Sequence, residues 1–438
     1  MKTDARKDLA DVRLRTPDRS QVLMKMESAE DLIKDDHRAR LVWRLVETLD
    51  LSDFYKPIKA RQGVRGRDAT SPKLLVALWL CATIEGIGSA RELARRCLDC
   101  RAFEWICGGV SVNHHLLSDF RIDHGEALDG LMTRVVAMLL EKKLARVYRI
   151  SQDGTRVRAC AGASSFRRGE RLGKLLEAAG AHVAELKAIF DNPEQSAGLS
   201  VRQKAARLRA AREKQERLQQ AIDELPALKQ KQEKLAKKVT QKDKARKLKE
   251  PRASTTDPEA RVMKMPDGGY RPAVNIQFAV DTESRAILGV DVVNLGNDHH
   301  LSEPMRQQVE ERTGQKVMEH LIDGGYLVKE EIERAETENV TVYVPPKPPR
   351  NKEERSDPYA AMPGESQVLT DWRTRMGSPA GKEIYKLRAA TVETVNADLK
   401  ANRGLDRLRV KGLKKARSIA LWMALAYNVM HFAAGLLA

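Results

Sequence analysis

The sequence predicts a mixed α/β protein in which a sheet follows a helical region and is interrupted by one long helical insertion. Three observations lead there. Residues 31–145 carry apolar residues at helical spacing, with capping residues between them. Strand-like apolar runs begin near Val147 and resume at Ala273, alternating later with helical patterns. Between them, residues 167–250 read as charged helix.

In the helical region, Ala39 to Leu49 carries a stripe of Leu41, Val42, Leu45, Val46 and Leu49. Gln62 to Asp68 is Gly/Arg-rich and reads as a loop. Thr70-Ser71-Pro72 supplies cap candidates and a proline for the first turn of an apolar helix, Leu74 to Ile84. Ser89-Ala90-Arg91-Glu92 fits a capping box. After Gly108-Gly109, Ser111 opens a polar helix carrying Asn113, His114, His115, Ser118, Asp119 and Arg121. Short helices followed by a polar one resemble a helix-turn-helix reader of DNA, with Asn113, His114 and Arg121 as contacts. Any small helical bundle shares that pattern.

In the sheet, Ala273–Val280 and Ala286–Val293 form a hairpin turning at Asp281-Thr282-Glu283-Ser284. A helix at 303–313, a strand at 317–322, a helix at 329–338 and a strand at 340–344 follow. Pro345 to Gly364 is a Pro/Lys/Glu-rich loop. In the insertion, Leu208, Leu218, Ile222, Leu225, Leu228, Leu235 and Val239 recur at mostly three- and four-residue steps. Pro226 is expected to break that run into two helices, and the imperfect heptads favour a helical hairpin over a dimeric coiled coil.

The 438 residues, 42% hydrophobic and 32% charged, allow two or three folded domains and exclude a disordered chain. A net charge of +17 favours a polyanionic partner, nucleic acid or an anionic membrane surface. The charge is concentrated. Residues 201–252 hold 18 Lys/Arg against 7 Asp/Glu, and residues 399–417 hold 8 against 1. Two basic segments on a near-neutral remainder read as a binding footprint, with a solvated helical face as the alternative for the longer one.

Five cysteines point to a reducing compartment. Cys97, Cys100 and Cys107, with His114 or His115, lack the second CxxC pair of a zinc site and read as ordinary thiols. Met1 to Glu30 is polar and has no signal-peptide core. Ser418 to Ala438 is long and apolar enough for a membrane span, but Asn428 and His431 interrupt it. A buried core helix is the preferred reading there, and no membrane partner is expected.

Three acids occupy settings suited to metal-assisted phosphoryl transfer. Asp153 ends an apolar stretch and precedes Gly154-Thr155, and Asp323 follows another before Gly324-Gly325-Tyr326. Carboxylates at strand ends are held rigidly enough to bridge two hard cations about 4 Å apart. Glu393 shares a helical pattern with Tyr385, Arg388 and Lys400. At about 100° per residue these four fall within roughly 140° of arc, a carboxylate among groups that grip phosphate oxygens. Singly, each acid is equally a turn or surface residue. Asp298, in Gly296-Asn297-Asp298-His299-His300, is the reserve for the second carboxylate, and the two histidines read as loop or supporting residues.

In this order, these residues resemble a bacterial insertion-sequence transposase of the DDE class, with its tyrosine–arginine–glutamate–lysine signature helix. The likeness covers nearly the whole chain, from the helices of 50–129 to Lys400. It implies a ribonuclease H-like catalytic domain in which Asp153, Asp323 and Glu393 form the catalytic triad and bind two Mg²⁺ or Mn²⁺ ions. Tyr385, Arg388 and Lys400 would engage DNA near the scissile phosphate. It further implies double-stranded DNA as partner, at terminal inverted repeats and target, a dimer in the DNA-bound assembly, and a cytoplasmic, nucleoid-associated location. Arg388 departs from the pattern, standing one residue further from Glu393 than in the commonest signature. A nuclease on the same fold and a non-catalytic DNA-binding protein are the rival readings.

The chain thus divides into a flexible arm at 1–30, an all-α DNA-binding domain at 31–145, a catalytic domain at 146–166 and 251–438, and a basic helical hairpin at 167–250.

Overall fold

In the computed structural model the described residues of the helical region form seven α-helices. They are α1 (Arg38–Thr48), α2 (Ser52–Tyr55), α3 (Pro72–Ile84), α4 (Ala90–Asp99), α5 (Arg101–Cys107), α6 (His114–Asp123) and α7 (Gly125–Glu141). The structure describes residues 19–438 apart from 21, 23, 25, 62, 64, 237–249 and 348–356. Most of the expected N-terminal arm, Val239 and part of the 345–364 loop therefore lie outside the described residues.

Local chemistry sets these helix starts. Pro72 takes the first turn of α3, where its missing N–H costs nothing. Ser89 Oγ accepts the Glu92 amide at 3.4 Å to cap α4. The polar helix α6 starts later than Ser111. Asn113 is its cap, its Oδ1 accepting the amides of His115 and Leu116 at 3.0 Å each. α3 is buried from Leu74 to Ile84 and forms the centre of the bundle.

The sheet begins with β1 (Arg149–Arg158). β2 (Phe166–Arg167) and β3 (Ala253–Ser254) pair at the root of the insertion, which is the helical hairpin α8 (Gly169–Asp191) and α9 (Val201–Ala236). Leu172 and Ala179 of α8 pack on Leu218 and Ala221 of α9. Pro226 does not break α9, contrary to the sequence expectation. A proline removes one backbone bond, a loss that the packing of neighbouring turns against α8 offsets. β4 (Arg261–Lys264), β5 (Tyr270–Asp281), β6 (Ile287–Val293), β7 (Glu319–Leu321) and β8 (Thr341–Tyr343) complete the strands.

β5 is the spine. It pairs antiparallel with β1 along one edge and with β4 and β6 along the other. β7 and β8 then extend the sheet in parallel beyond β1. α10 (Ser302–Thr313), α11 (Lys329–Thr337) and α12 (Gln367–Gly377) cover it, followed by α13 (Pro379–Arg388), α14 (Thr394–Ala401), α15 (Leu413–His431) and α16 (Ala433–Leu437).

One continuous apolar cluster runs from Val42 in α1 through Ile276 and Val290 in the sheet to Val429 in α15. The helical region therefore shares its core with the sheet. α15 joins them, buried from Ser418 to Val429, which is why the tail is so apolar. Asn428, the polar interruption, exchanges two hydrogen bonds with the Ile287 backbone, at 2.9 and 2.8 Å. Among the described residues no helix is long and apolar enough to cross a membrane.

Candidate active site

The parallel register of β1 and β7 brings the first two acids together. Ile150 pairs with His320 and Ser151 with Leu321. Two residues on, Asp153 still lies within β1 and Asp323 just beyond the end of β7, close enough for Asp323 to act on the Asp153 carboxyl. Asp153 does not end its strand as the sequence led us to expect. β1 runs on to Arg158 because the long β5 supplies partners as far as Ala273.

Gly154 has a different use from the turn expected of it. It lies within β1, opposite Gln277. A Cβ there would fall 2.3 Å from Gln277 Nε2, 2.6 Å from Asp298 Oδ1 and 2.7 Å from Asn275 Oδ1. The missing side chain is the space that these three polar groups occupy. Asn275 Nδ2 and Gln277 Nε2 donate to Asp298 Oδ1, at 2.6 and 2.9 Å. A Cβ on Gly325 would stand 2.8 Å from Asp323 Oδ1 and 3.6 Å from Asp298 Oδ2. Asp323 and Asp298 thus flank one glycine, and the structure brings both candidates for the second carboxylate to the site.

Glu393 arrives from the helical side. Tyr385, Arg388, Glu393 and Lys400 do not lie on one regular α-helix. α13 ends at Arg388, residues Ala389–Glu393 form a π-turn, and α14 resumes at Thr394. A π-turn holds one more residue per turn than an α-turn and brings residues five apart together. It absorbs the extra residue between Arg388 and Glu393, and their side chains form an ion pair. The Arg388 guanidinium also stands 3.9 Å from Asp153 Oδ1 and 5.8 Å from the Tyr385 ring centroid. One cation therefore links the strand acid to the helix acid. Asn396, in the first turn of α14, donates to Asp153 Oδ2 at 3.2 Å.

Burial pushes the Asp153 carboxyl up to about 6; Arg388 opposes this, and Asp323 and Asp298 add to it. Lys400 is pulled below its ordinary value by burial, against the attraction of Asp153. Burial raises the Tyr385 hydroxyl, with Arg388 opposing. Tyr326 is buried, donates its hydroxyl to Gln277, and is held well above the ordinary tyrosine range by burial and by the surrounding Asp298, Asp153 and Asp323.

Sequence reasoning missed Asn275, Gln277, Asn396 and Tyr326 as members of this site. A signal existed for two of them: Asn275 and Gln277 are polar residues at alternate positions in an otherwise apolar strand, so they share one face. The helix-turn-helix candidates lie elsewhere. Asn113 spends its side-chain oxygen on the cap of α6, and His114 stacks on His115 with ring centroids 4.1 Å apart. Arg121 is buried. His300 pairs with Glu331 at 2.7 Å, and burial lowers His299. All five cysteines are free.

The donor set is all oxygen: four carboxylates, with Asn275 Oδ1 and Asn396 Oδ1 buried beside them and unpartnered. Such donors suit hard divalent cations and fit that chemistry. The carboxylates are not drawn into a closed cage. Among the described residues no group of three or more His, Cys, Asp or Glu side chains is gathered tightly enough to hold an ion. Arg388, between Asp153 and Glu393, supplies positive charge there instead.

Clustered acids flanked by arginine, lysine and tyrosine on an α/β sheet are groups suited to phosphate chemistry. The transposase DDE domain family matches residues 218–429, and a second transposase domain family matches residues 27–123. Together they cover more than half of the chain, which belongs to the DDE transposases of insertion sequences. Asp298, Asp323 and Glu393 fall inside the matched DDE segment, whereas Asp153 lies between the two matches. No curated protein and no solved structure matches the chain.

Proposed function

We propose that this transposase cuts and joins DNA at the ends of its insertion sequence, with Asp153, Asp323 and Glu393 as the catalytic carboxylates of a ribonuclease H-like domain. The observation that carries the reading is the convergence of three remote segments: the pairing of β1 with β7 brings Asp323, just past the end of β7, near Asp153, and Arg388 ties Asp153 to Glu393. The helices of 31–145 are assigned to recognition of the element ends. The basic hairpin and the 399–417 segment are assigned to phosphate backbones.

Asp153, Asp323 and Glu393 would hold two Mg²⁺ or Mn²⁺ ions, with Asp298 beside them. Bound divalent ions supply activation of the attacking water or 3′-hydroxyl and stabilisation of the leaving oxygen. The chain's own groups do the positioning. Asn396 fixes the Asp153 carboxylate from one side, while Asn275 and Gln277 fix Asp298. Arg388 and Lys400 provide cations for the oxygens of the scissile phosphate, and Tyr385 a hydroxyl donor beside Arg388.

An excision assay in cells tests this, using a marked element bounded by the terminal inverted repeats that this reading requires beside the gene. Asp153→Ala is expected to abolish excision. Undiminished excision by that variant would remove Asp153 from the catalytic set and favour a structural role for the acids. Strand joining in the same assay separates a transposase from a nuclease of the same fold.

A further inference from the structure

Five arginines are buried among the described residues: Arg121, Arg306, Arg312, Arg373 and Arg403. Four of them have a carboxylate partner. Arg306 pairs with Glu310 and Glu338, Arg312 with Asp129, Arg373 with Glu365 and Arg403 with Asp398. Arg121 does not. It is 6% exposed, its guanidinium lies 4.4 Å from the Trp79 ring centroid, and its one hydrogen bond goes to the Gly88 carbonyl at 2.7 Å. Its Nε is buried without a partner. A buried charge left uncompensated costs several kcal/mol unless a ligand completes it.

Arg121 lines a cavity of about 660 Å³ between the turn that joins α3 to α4 and the segment 404–409, which lies along the end of β1. Arg158, Arg407 and Arg409 line it too. Its one acid is Asp406, already paired with Arg158 at 3.1 Å. The segment is fixed in place. Arg158 donates its amide to Asp406 O at 3.2 Å, and Leu408 donates to Arg158 O at 2.8 Å. A second cavity of about 540 Å³ continues from the first, sharing Gly86, Gly88 and Arg409 and adding Arg91, Arg95 and one acid, Glu92, which is paired with Arg95 at 2.6 Å. The space is therefore an elongated cleft lined with arginine, the shape of a strand rather than of a single small anion.

We infer that this cleft holds the phosphodiester backbone of duplex DNA, with Arg121 as its innermost phosphate ligand and Arg407 and Arg409 along its wall. The inference rests on the transposase reading and deepens it, because β1 connects the two places. Asp153 and Arg158 are five residues apart on one strand, which is about 17 Å. The separation is shorter than one helical turn of DNA, so a single duplex is long enough to reach both places. Guanidinium groups suit this task, presenting paired donors to phosphate oxygens and keeping their charge. The stacking of Arg121 on Trp79 sets the angle of that fork in advance.

The test uses the full-length protein and a fluorescein-labelled duplex, titrated across a salt series. Arg121→Leu is the obvious variant, but it uncovers Trp79 and leaves Gly88 O unpaired, so it can fail through folding. Arg407→Ala/Arg409→Ala removes two exposed cations that have no ion pair among the described residues. Binding by that variant should weaken, and the slope of log K against log salt should fall by about 2, roughly 0.9 for each phosphate that is no longer neutralised. Arg146→Ala, at an exposed arginine remote from the cleft, should leave the slope unchanged. Unchanged affinity and slope in the double variant, beside a wild type that binds and cuts DNA, would overturn the cleft assignment and leave the transposase reading standing. A wild type that fails to bind duplex at all would overturn both. If inorganic phosphate alone shows the arginine dependence and duplex does not, the site takes a free anion and the inference fails.

Discussion

Arg312 and Arg121 are both buried arginines, yet their surroundings were built to opposite ends. Arg312, on α10, has its charge balanced within the chain. Asp129 of α7 accepts from it at 2.5 Å, Leu288 O at 2.8 Å and Thr133 Oγ1 at 3.3 Å, while Arg417 reaches the other Asp129 oxygen at 3.1 Å. The joint between helical region and sheet is closed and needs nothing further. Arg121 faces a cleft of other arginines. The acid site, at the other place along β1, mirrors it in sign, with carboxylates in excess of the Arg388 and Lys400 that face them. Charge balanced inside the chain holds the fold, and charge left open is where the proposed function seats DNA and ions. Folding carries the cost of that openness.

The comparison breaks most clearly at its closed half. Asp129→Ala leaves Arg312 buried without a counter-charge, which should cost on the order of 3–5 kcal/mol in urea unfolding. A loss below about 1 kcal/mol would mean that the joint is not held by charge.

At the open half, crowding gives the next effect. Gly154→Ala places a methyl group where Gln277, Asp298 and Asn275 converge. It should cost up to about 3 kcal/mol and abolish excision, since neither the strand nor the three polar groups can withdraw without disturbing Asp153. Normal excision by this variant would show that the tight packing is not part of the site.

The sign then reverses. A carboxyl pushed up to about 6 by burial is held protonated by the folded chain over a range where the unfolded chain has released the proton. Its contribution to stability is complete below about pH 4 and is lost as pH rises through 6. Asp153→Asn should therefore stabilise the ion-free protein by on the order of 2 kcal/mol at pH 8, with the gain vanishing near pH 4. Chemical denaturation with a chelator at both pH values measures this. A destabilised variant at pH 8 would contradict the burial of an uncompensated charge. The smallest effect belongs to Arg407→Ala, whose stability should stay within about 0.5 kcal/mol of wild type, because its charge serves binding rather than folding.

Much of the fold was legible because it is local. The α3 helix follows from Pro72 and its apolar run, and the β5–β6 hairpin from alternation around a polar turn. The three acids stood out in sequence, but the strand-end and glycine-turn settings expected for Asp153 gave way to a position within β1, and the extra residue before Glu393 proved to be a π-turn. What was hidden depends on partners remote in sequence. Trp79 lies far before Arg121, so nothing near Arg121 revealed that it points inward. The choice between Asp323 and Asp298 looked exclusive in sequence, whereas the sheet sets both beside Gly325. Pro226 misled because the packing that tolerates it comes from α8.

The central claim is that Asp153, lying between the two matched transposase segments, is brought by β1 into the catalytic set. Cleavage of a terminal-repeat duplex by purified protein in Mg²⁺ tests it most directly, with duplex binding measured alongside. Asp153→Asn, Asp323→Asn and Glu393→Gln should each lose cleavage by at least about 10³-fold while still binding the duplex. An Asp153→Asn protein that cuts like wild type, while the other two do not, would contradict the account.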